Sequence, residues 1–165
     1  VLGSRGLGDV YKRQGVDMPI NVQSDLPAKK IMEEENIFMM DQIRAGSQDI
    51  RPLRIAILNL MPLKEDTEVH LLRCLSNTPL QVEITFLTTA SYVGTNTSKN
   101  HLDQFYLTYN DIKDNFYDGL IITGAPVENK DWEDVIYWNE ITQIMEWSKT
   151  HVTSTLHICL SLIHI

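Results

Sequence analysis

The stretch PLRIAILNLMPLKEDTEVHLLRCLS (52–76) decides the fold. After Pro52, the run from Leu53 to Leu60 is apolar and partly β-branched, broken only by Arg54 and Asn59, as a buried strand requires. Residues 64–76 then change period. Val69, Leu72 and Leu75 stand three apart, and Glu65, Asp66 and Glu68 crowd the first turn, so an amphipathic helix with charges matched to its dipole follows. Asn77 and Pro79 end it. A strand followed by a helix of this length begins a parallel crossover, because parallel neighbours need a long connection.

The same alternation continues along the chain. Val82 to Leu87 alternates as a second strand, Ala90–Asn100 is rich in Thr, Ser, Asn and Gly and reads as a loop, and Leu102, Phe105 and Tyr106 sit at helical spacing before Asn110. Asp118 to Gly124 is the clearest buried strand, bounded by Gly119 and Gly124, and Pro126 to Asp131 is a turn-rich loop. Residues 133–150 place Val135, Trp138, Ile141 and Met145 on one helical face, and Thr153 to Ile158 forms a further strand leading into Cys159. In front of all this, Pro27 to Glu35 reads as a helix packed outside the sheet. The pattern predicts an α/β domain: an open, mainly parallel sheet with helices on both faces.

With 165 residues, the chain has room for one domain. Its 43% hydrophobic and 22% charged residues exclude a disordered tail or a fibrous repeat. Lys and Arg number 14 against 22 Asp and Glu, a net charge of -8, and no basic patch offsets it, so no nucleic-acid partner is expected. The longest apolar runs, around Leu58 and Ile121, fall far short of the ~20 residues that span a bilayer, and no membrane association is expected. Two cysteines, Cys74 and Cys159, are too few for a disulfide framework and suit a reducing, cytoplasmic compartment.

Both ends differ from the rest. VLGSRGLGDVYKR (1–13) has three glycines and no apolar period, and LSLIHI (160–165) is an apolar stub without capping or turn signals. Both resemble translated library-adapter sequence. The expected division is therefore a non-native extension over 1–17, an N-terminal part of a single domain over 18–159, and a non-native tail over 160–165.

In an open α/β sheet the functional crevice lies beyond the carboxyl ends of the strands. Three strings fall there: Asn59 to Lys64, Thr123 to Glu128, and Leu156 to Cys159. Cys159 ends a strand, where a sharp turn into a helix would expose a thiol and lower its pKa; a free cysteine filling core space explains the position equally well. Cys74, inside the amphipathic helix, reads as packing. His70, His101 and His151 read as surface residues, His157 faces the same side of its strand as Cys159, and no histidine pair has metal-ligand spacing, so no metal is expected. Glu33–Glu35 and Asp131–Asp134 read as solvated faces, and Lys64, taken alone, as a surface lysine.

The strings QDIRPLRIAILNLMPLKEDTE (48–68), LSNTPLQVEITFL (75–87), DGLIITGAPVE (118–128) and TSTLHIC (153–159) are similar to the homoserine O-acyltransferase family of methionine biosynthesis, and MPINVQSDLPA from Met18 resembles that family's opening. The resemblance covers Met18 to Cys159. It implies a class I glutamine-amidotransferase-like fold, here truncated after the nucleophile strand, and transfer of an acyl group from acyl-CoA to the hydroxyl of L-homoserine, with no bound cofactor.

By the same resemblance Cys159 takes the acyl group as a thioester, and Lys64 with backbone amides near Leu63 stabilises the oxyanion. Glu128 selects acetyl-CoA where a glycine at its position goes with succinyl-CoA. The family's base histidine, its supporting glutamate and its main homoserine-binding residues lie beyond these residues, so the chain alone is expected to be inactive; the family also implies a possible homodimer. After Cys159 the family carries tryptophan, where this chain has Leu160. The alternatives are a class I glutamine amidotransferase-like enzyme, whose elbow usually has glycine where His157 stands, and a non-catalytic α/β binding domain.

Overall fold

The computed structural model describes residues 20–23, 25–35, 37, 39–40, 51–78, 80–91, 98–127 and 135–158. They form seven strands and five helices: β1 (Ile20–Asn21), α1 (Pro27–Glu34), β2 (Met39–Met40), β3 (Leu53–Leu58), α2 (Lys64–Leu75), β4 (Val82–Leu87), α3 (Lys99–Phe105), β5 (Tyr106–Leu107), α4 (Tyr109–Ile112), β6 (Tyr117–Ile122), α5 (Trp138–His151) and β7 (Val152–His157). The strands make one sheet in the order β2-β1-β4-β3-β6-β7, with β5 also on β4. Every pairing is parallel. β3 occupies one whole edge of β4, from Val82 to Leu87. The other edge is shared end to end: β1 pairs with Val82 and Glu83, β5 with Phe86 and Leu87.

Strand alternation divides the core into two layers, as the side-chain period of two demands. Ala56 and Leu58 of β3 and Leu120 and Ile122 of β6 point to one face, where Ile141, Ile144 and Trp147 of α5 cover them. Ile57, Phe86 and Ile121 point to the other, against Val69 and Leu72 of α2, Leu102 and Phe105 of α3, and Ala28 and Met32 of α1. Helices therefore cover both faces of an open parallel sheet. α1 starts with Pro27 at its first turn and lies outside α2, where Arg73 Nε donates to Glu35 at 2.6 Å.

The winding explains where a ligand would sit. From β3 the chain moves outward to β4, then returns across β3 to place β6 on its far side, and continues outward to β7. Winding direction reverses between β3 and β6, and a crevice opens at the carboxyl ends of the strands at such a reversal.

Several expectations need correction. Tyr106 does not continue the helix of Leu102 and Phe105: its φ of -112° and ψ of 141° turn it out as β5. Gly119 lies inside β6, opposite Ile55 and Ser154, rather than bounding it. A Cβ there would meet Ile55 Cδ1 at 2.8 Å. α5 begins at Trp138, so Val135 is buried ahead of the helix rather than on it, and residues 131–134 are outside the described residues. Cys74 is exposed, on the side of α2 away from the core. His101 is buried rather than a surface residue, and so is Lys64.

Candidate active site

The three rim strings leave the sheet at one level. Leu58 pairs with Ile122 and Ile122 with His157. One residue on, Asn59 N donates to Leu87 O at 3.0 Å, Thr123 N to Leu58 O at 3.1 Å, and Ile158 N to Ile122 O at 3.0 Å. The reversal point is stitched by Leu60 N donating to Thr123 Oγ1 at 2.8 Å. Ala125 and Val127 fold back into the core, with Val127 N on Ala125 O at 2.9 Å. Cys159 and Glu128 each follow these segments by one residue and lie outside the described residues.

Lys64 is described, and its environment is unusual. It is the first residue of α2, and the positive end of a helix dipole disfavours a cation there. It is nevertheless buried, only 7% exposed. Its Nζ donates to the main-chain oxygen of Asn59 and stands 5.5 Å from the centre of the Tyr106 ring. Burial pulls its pKa down from 10.5 to about 8, and the negative charge of Glu68 acts in the opposite direction.

Around Lys64 lies a buried polar network that the sequence reading missed. Asn59, fully buried at the end of β3, donates through Nδ2 to Tyr106 Oη at 2.9 Å and to Lys64 O at 3.3 Å, while its Oδ1 accepts from Met61 N at 3.2 Å. Tyr106 Oη donates to Glu68 Oε1 at 2.6 Å, and His101 Nε2 lies 2.9 Å from the same oxygen. Burial, then the Glu68 charge, raise the Tyr106 pKa far above the ordinary phenol value and keep the hydroxyl a donor. A signal for Glu68 existed: Lys64, Glu68 and Leu72 are four apart and share the apolar face of α2. Asn59 was visible as the polar end of an apolar run, but nothing local linked it to Tyr106, 47 residues away.

His157 is half-buried, with Nδ1 shielded and without a hydrogen-bond partner among the described residues, and desolvation pushes its pKa below the ordinary imidazole value. Among the described residues no group of three or more His, Cys, Asp and Glu could hold a metal ion. Among them, too, no helix is long and apolar enough to cross a membrane.

The architecture is that of a parallel α/β domain with a winding reversal at the carboxyl ends of its central strands and a buried lysine just beyond β3. Comparison with known proteins makes this specific. The family model described as homoserine O-succinyltransferase matches residues 19–163, and the chain belongs to that family. Among curated proteins it is 75% identical over 142 residues to the homoserine O-acetyltransferase of Lachnoclostridium phytofermentans, covering 86% of this chain and 47% of that relative. It is 63% identical to the homoserine O-acetyltransferase of Lachnospira eligens, covering 86% of this chain and 46% of the relative. To that of Bacillus licheniformis it is 58% identical, covering 86% and 47%. The chain spans about half the length of the curated relatives it matches.

Proposed function

We propose that the protein containing this chain transfers an acyl group, acetyl in preference to succinyl, from acyl-CoA to the hydroxyl of L-homoserine in methionine biosynthesis, and does so in the cytoplasm. The observation that carries the reading is Lys64: a cation buried at a helix start, where both dipole and desolvation oppose it, in one of the three strings that share the rim. Such a group is costly for stability and useful where negative charge develops.

In this reading the Cys159 thiolate attacks the thioester carbonyl of acyl-CoA. A carbon–sulfur bond forms, the oxygen becomes an oxyanion that the Lys64 ammonium stabilises, and the bond to the coenzyme A sulfur breaks. Coenzyme A leaves as its thiol once protonated. The homoserine hydroxyl then attacks the acyl-cysteine, its proton passing to a histidine base outside these residues, and Cys159 is released. Two features support acetyl as the donor: the relatives are named acetyltransferases, and a Glu128 carboxylate facing the succinyl carboxylate would repel it.

Two measurements test this on the protein at the full length of its relatives. After incubation with acetyl-CoA, mass spectrometry should show one added acetyl group on Cys159, absent from Cys159→Ala; acetylation that persists in that variant refutes the thioester. The ratio of kcat/KM for acetyl-CoA over succinyl-CoA should fall in Glu128→Gly. An unchanged ratio removes Glu128 as the selector.

A further inference from the structure

Glu68 is fully buried, and a carboxylate is brought into a core only where partners hold it. Its Oε1 receives the Tyr106 hydroxyl at 2.6 Å and faces His101 Nε2 at 2.9 Å, while Oε2 has no hydrogen-bond partner among the described residues. From Tyr106 the network continues to Asn59 and ends on the backbone that leads into Lys64, at Met61 N and at Lys64's own carbonyl. The Lys64 ammonium hangs on the carbonyl of that same Asn59. We propose that Glu68 is the positioning residue for Lys64: it supplies the buried counter-charge of the ammonium and, through Tyr106 and Asn59, fixes the carbonyl that orients it.

The charged and titratable groups around this pair come from three elements. Glu65 and Glu68 belong to α2, His101 to α3 and Tyr106 to β5. Glu65 is exposed and stands 4.0 Å from His101 Nδ1, so water screens it. Glu68 is shielded from solvent, and its charge raises the Lys64 pKa against the larger effect of burial. The Tyr106 hydroxyl, held protonated, cannot replace that charge. An apolar side chain at 68 would fill this core position at lower cost, so a carboxylate there points to a task, namely keeping Lys64 charged and still near neutral pH.

The catalytic consequence rests on the reading of Lys64 as the oxyanion donor, but the coupling itself can be measured without turnover. In the full-length protein, NMR of isotope-labelled lysine would follow the Lys64 ammonium through its titration, its resonance assigned by its loss in Lys64→Met. Glu68→Gln should lower the midpoint from about 8 by about one pH unit, Glu68→Asp should restore most of it, and Glu65→Gln should move it far less. The high-pH limb of the acyl-transfer profile should shift with the midpoint. In the unsubstituted protein, raising salt to molar concentration should leave the midpoint nearly unmoved, which serves even if Glu68→Gln does not fold. A midpoint that is the same in Glu68→Gln as in the parent, or one that falls with salt as an exposed pair would, overturns the proposal. Loss of the proposed function alone reads differently: Lys64→Met would retain acyl transfer while Glu68→Gln still shifted the Lys64 titration.

Discussion

The two ends of β3 and β6 each hold a cation and a carboxylate, under opposite conditions. At the amino ends, Arg51 Nη2 meets Asp118 Oδ1 at 2.7 Å, with Arg51 69% exposed, and Arg54 N donates to Asp118 Oδ2 at 2.9 Å. At the carboxyl ends, Lys64 and Glu68 are buried and joined through Tyr106 and Asn59. The exposed pair has good geometry in water and is worth little. The buried pair is held against solvation and the helix dipole. One end trims the fold; the other holds charge ready where chemistry is proposed.

The sharpest way to break this contrast is Lys64→Met. If the carboxyl-end cation serves chemistry, turnover in the full-length protein should fall by about 100-fold or more, since one oxyanion donor is lost. Stability should rise by about 1–2 kcal/mol near neutral pH, because the cost of burying the ammonium disappears while Glu68 keeps its Tyr106 and His101 donors. The sign in pH follows from the lowered pKa. Below about 8 the parent bears the full penalty, and it loses it as pH rises from there to 10.5, so the gap to Lys64→Met should close over that window. A variant less stable than its parent at neutral pH, measured by denaturant unfolding, would place Lys64 with the structural pairs.

Asp118→Asn should act more weakly and only on stability. Arg51 first, then the Arg54 amide, lower the Asp118 pKa, so its contribution is present above the ordinary carboxylate value of 3.8 and vanishes as pH falls through the lowered one. At neutral pH the variant should lose about 2–4 °C in Tm, with turnover unchanged; calorimetry at progressively lower pH should find that difference shrink as Asp118 becomes protonated. Smallest of all is Glu35→Gln, which removes the exposed partner of Arg73 between α1 and α2. Its Tm should stay within about 1 °C of the parent, and a larger drop would mean that this pair clamps α1 to the domain.

How far the sequence could be read depended on element length. β3, α2, β4, β6, α5 and β7 are long enough to show a period, and their alternation defined a parallel α/β sheet. β1, β2 and β5 have two residues each, too few for any period; they exist because neighbouring strands leave edges to pair. Polarity misled at His101, which reads as surface yet is buried on Glu68, and apolarity misled at Cys74, which lies on the exposed side of its helix. Lys64 was misread for the same reason, although its spacing to Glu68 and Leu72 placed it on the buried face. The family strings singled out Lys64, Cys159 and Glu128, but the network behind Lys64 joins residues far apart in the chain, and no local pattern encodes that.

The shared edge of β4 bears on which changes in chain length the domain can accept. β5 is only Tyr106 and Leu107; the first is buried, and the second is 39% exposed. Successive strand residues point to opposite faces, so adding or deleting a single residue within Lys99–Phe105 would exchange the two. The tyrosine hydroxyl would turn away from Asn59 and Glu68, and the apolar neighbour taking its place would meet the Asn59 amide nitrogen and the Glu68 oxygen it left behind. A conservative insertion seven residues upstream would thus disarm the Lys64 environment without altering any residue that touches it. In natural variants of this protein, the number of residues between Ser98 and Tyr106 should therefore be held as strictly as the identity of Tyr106 itself.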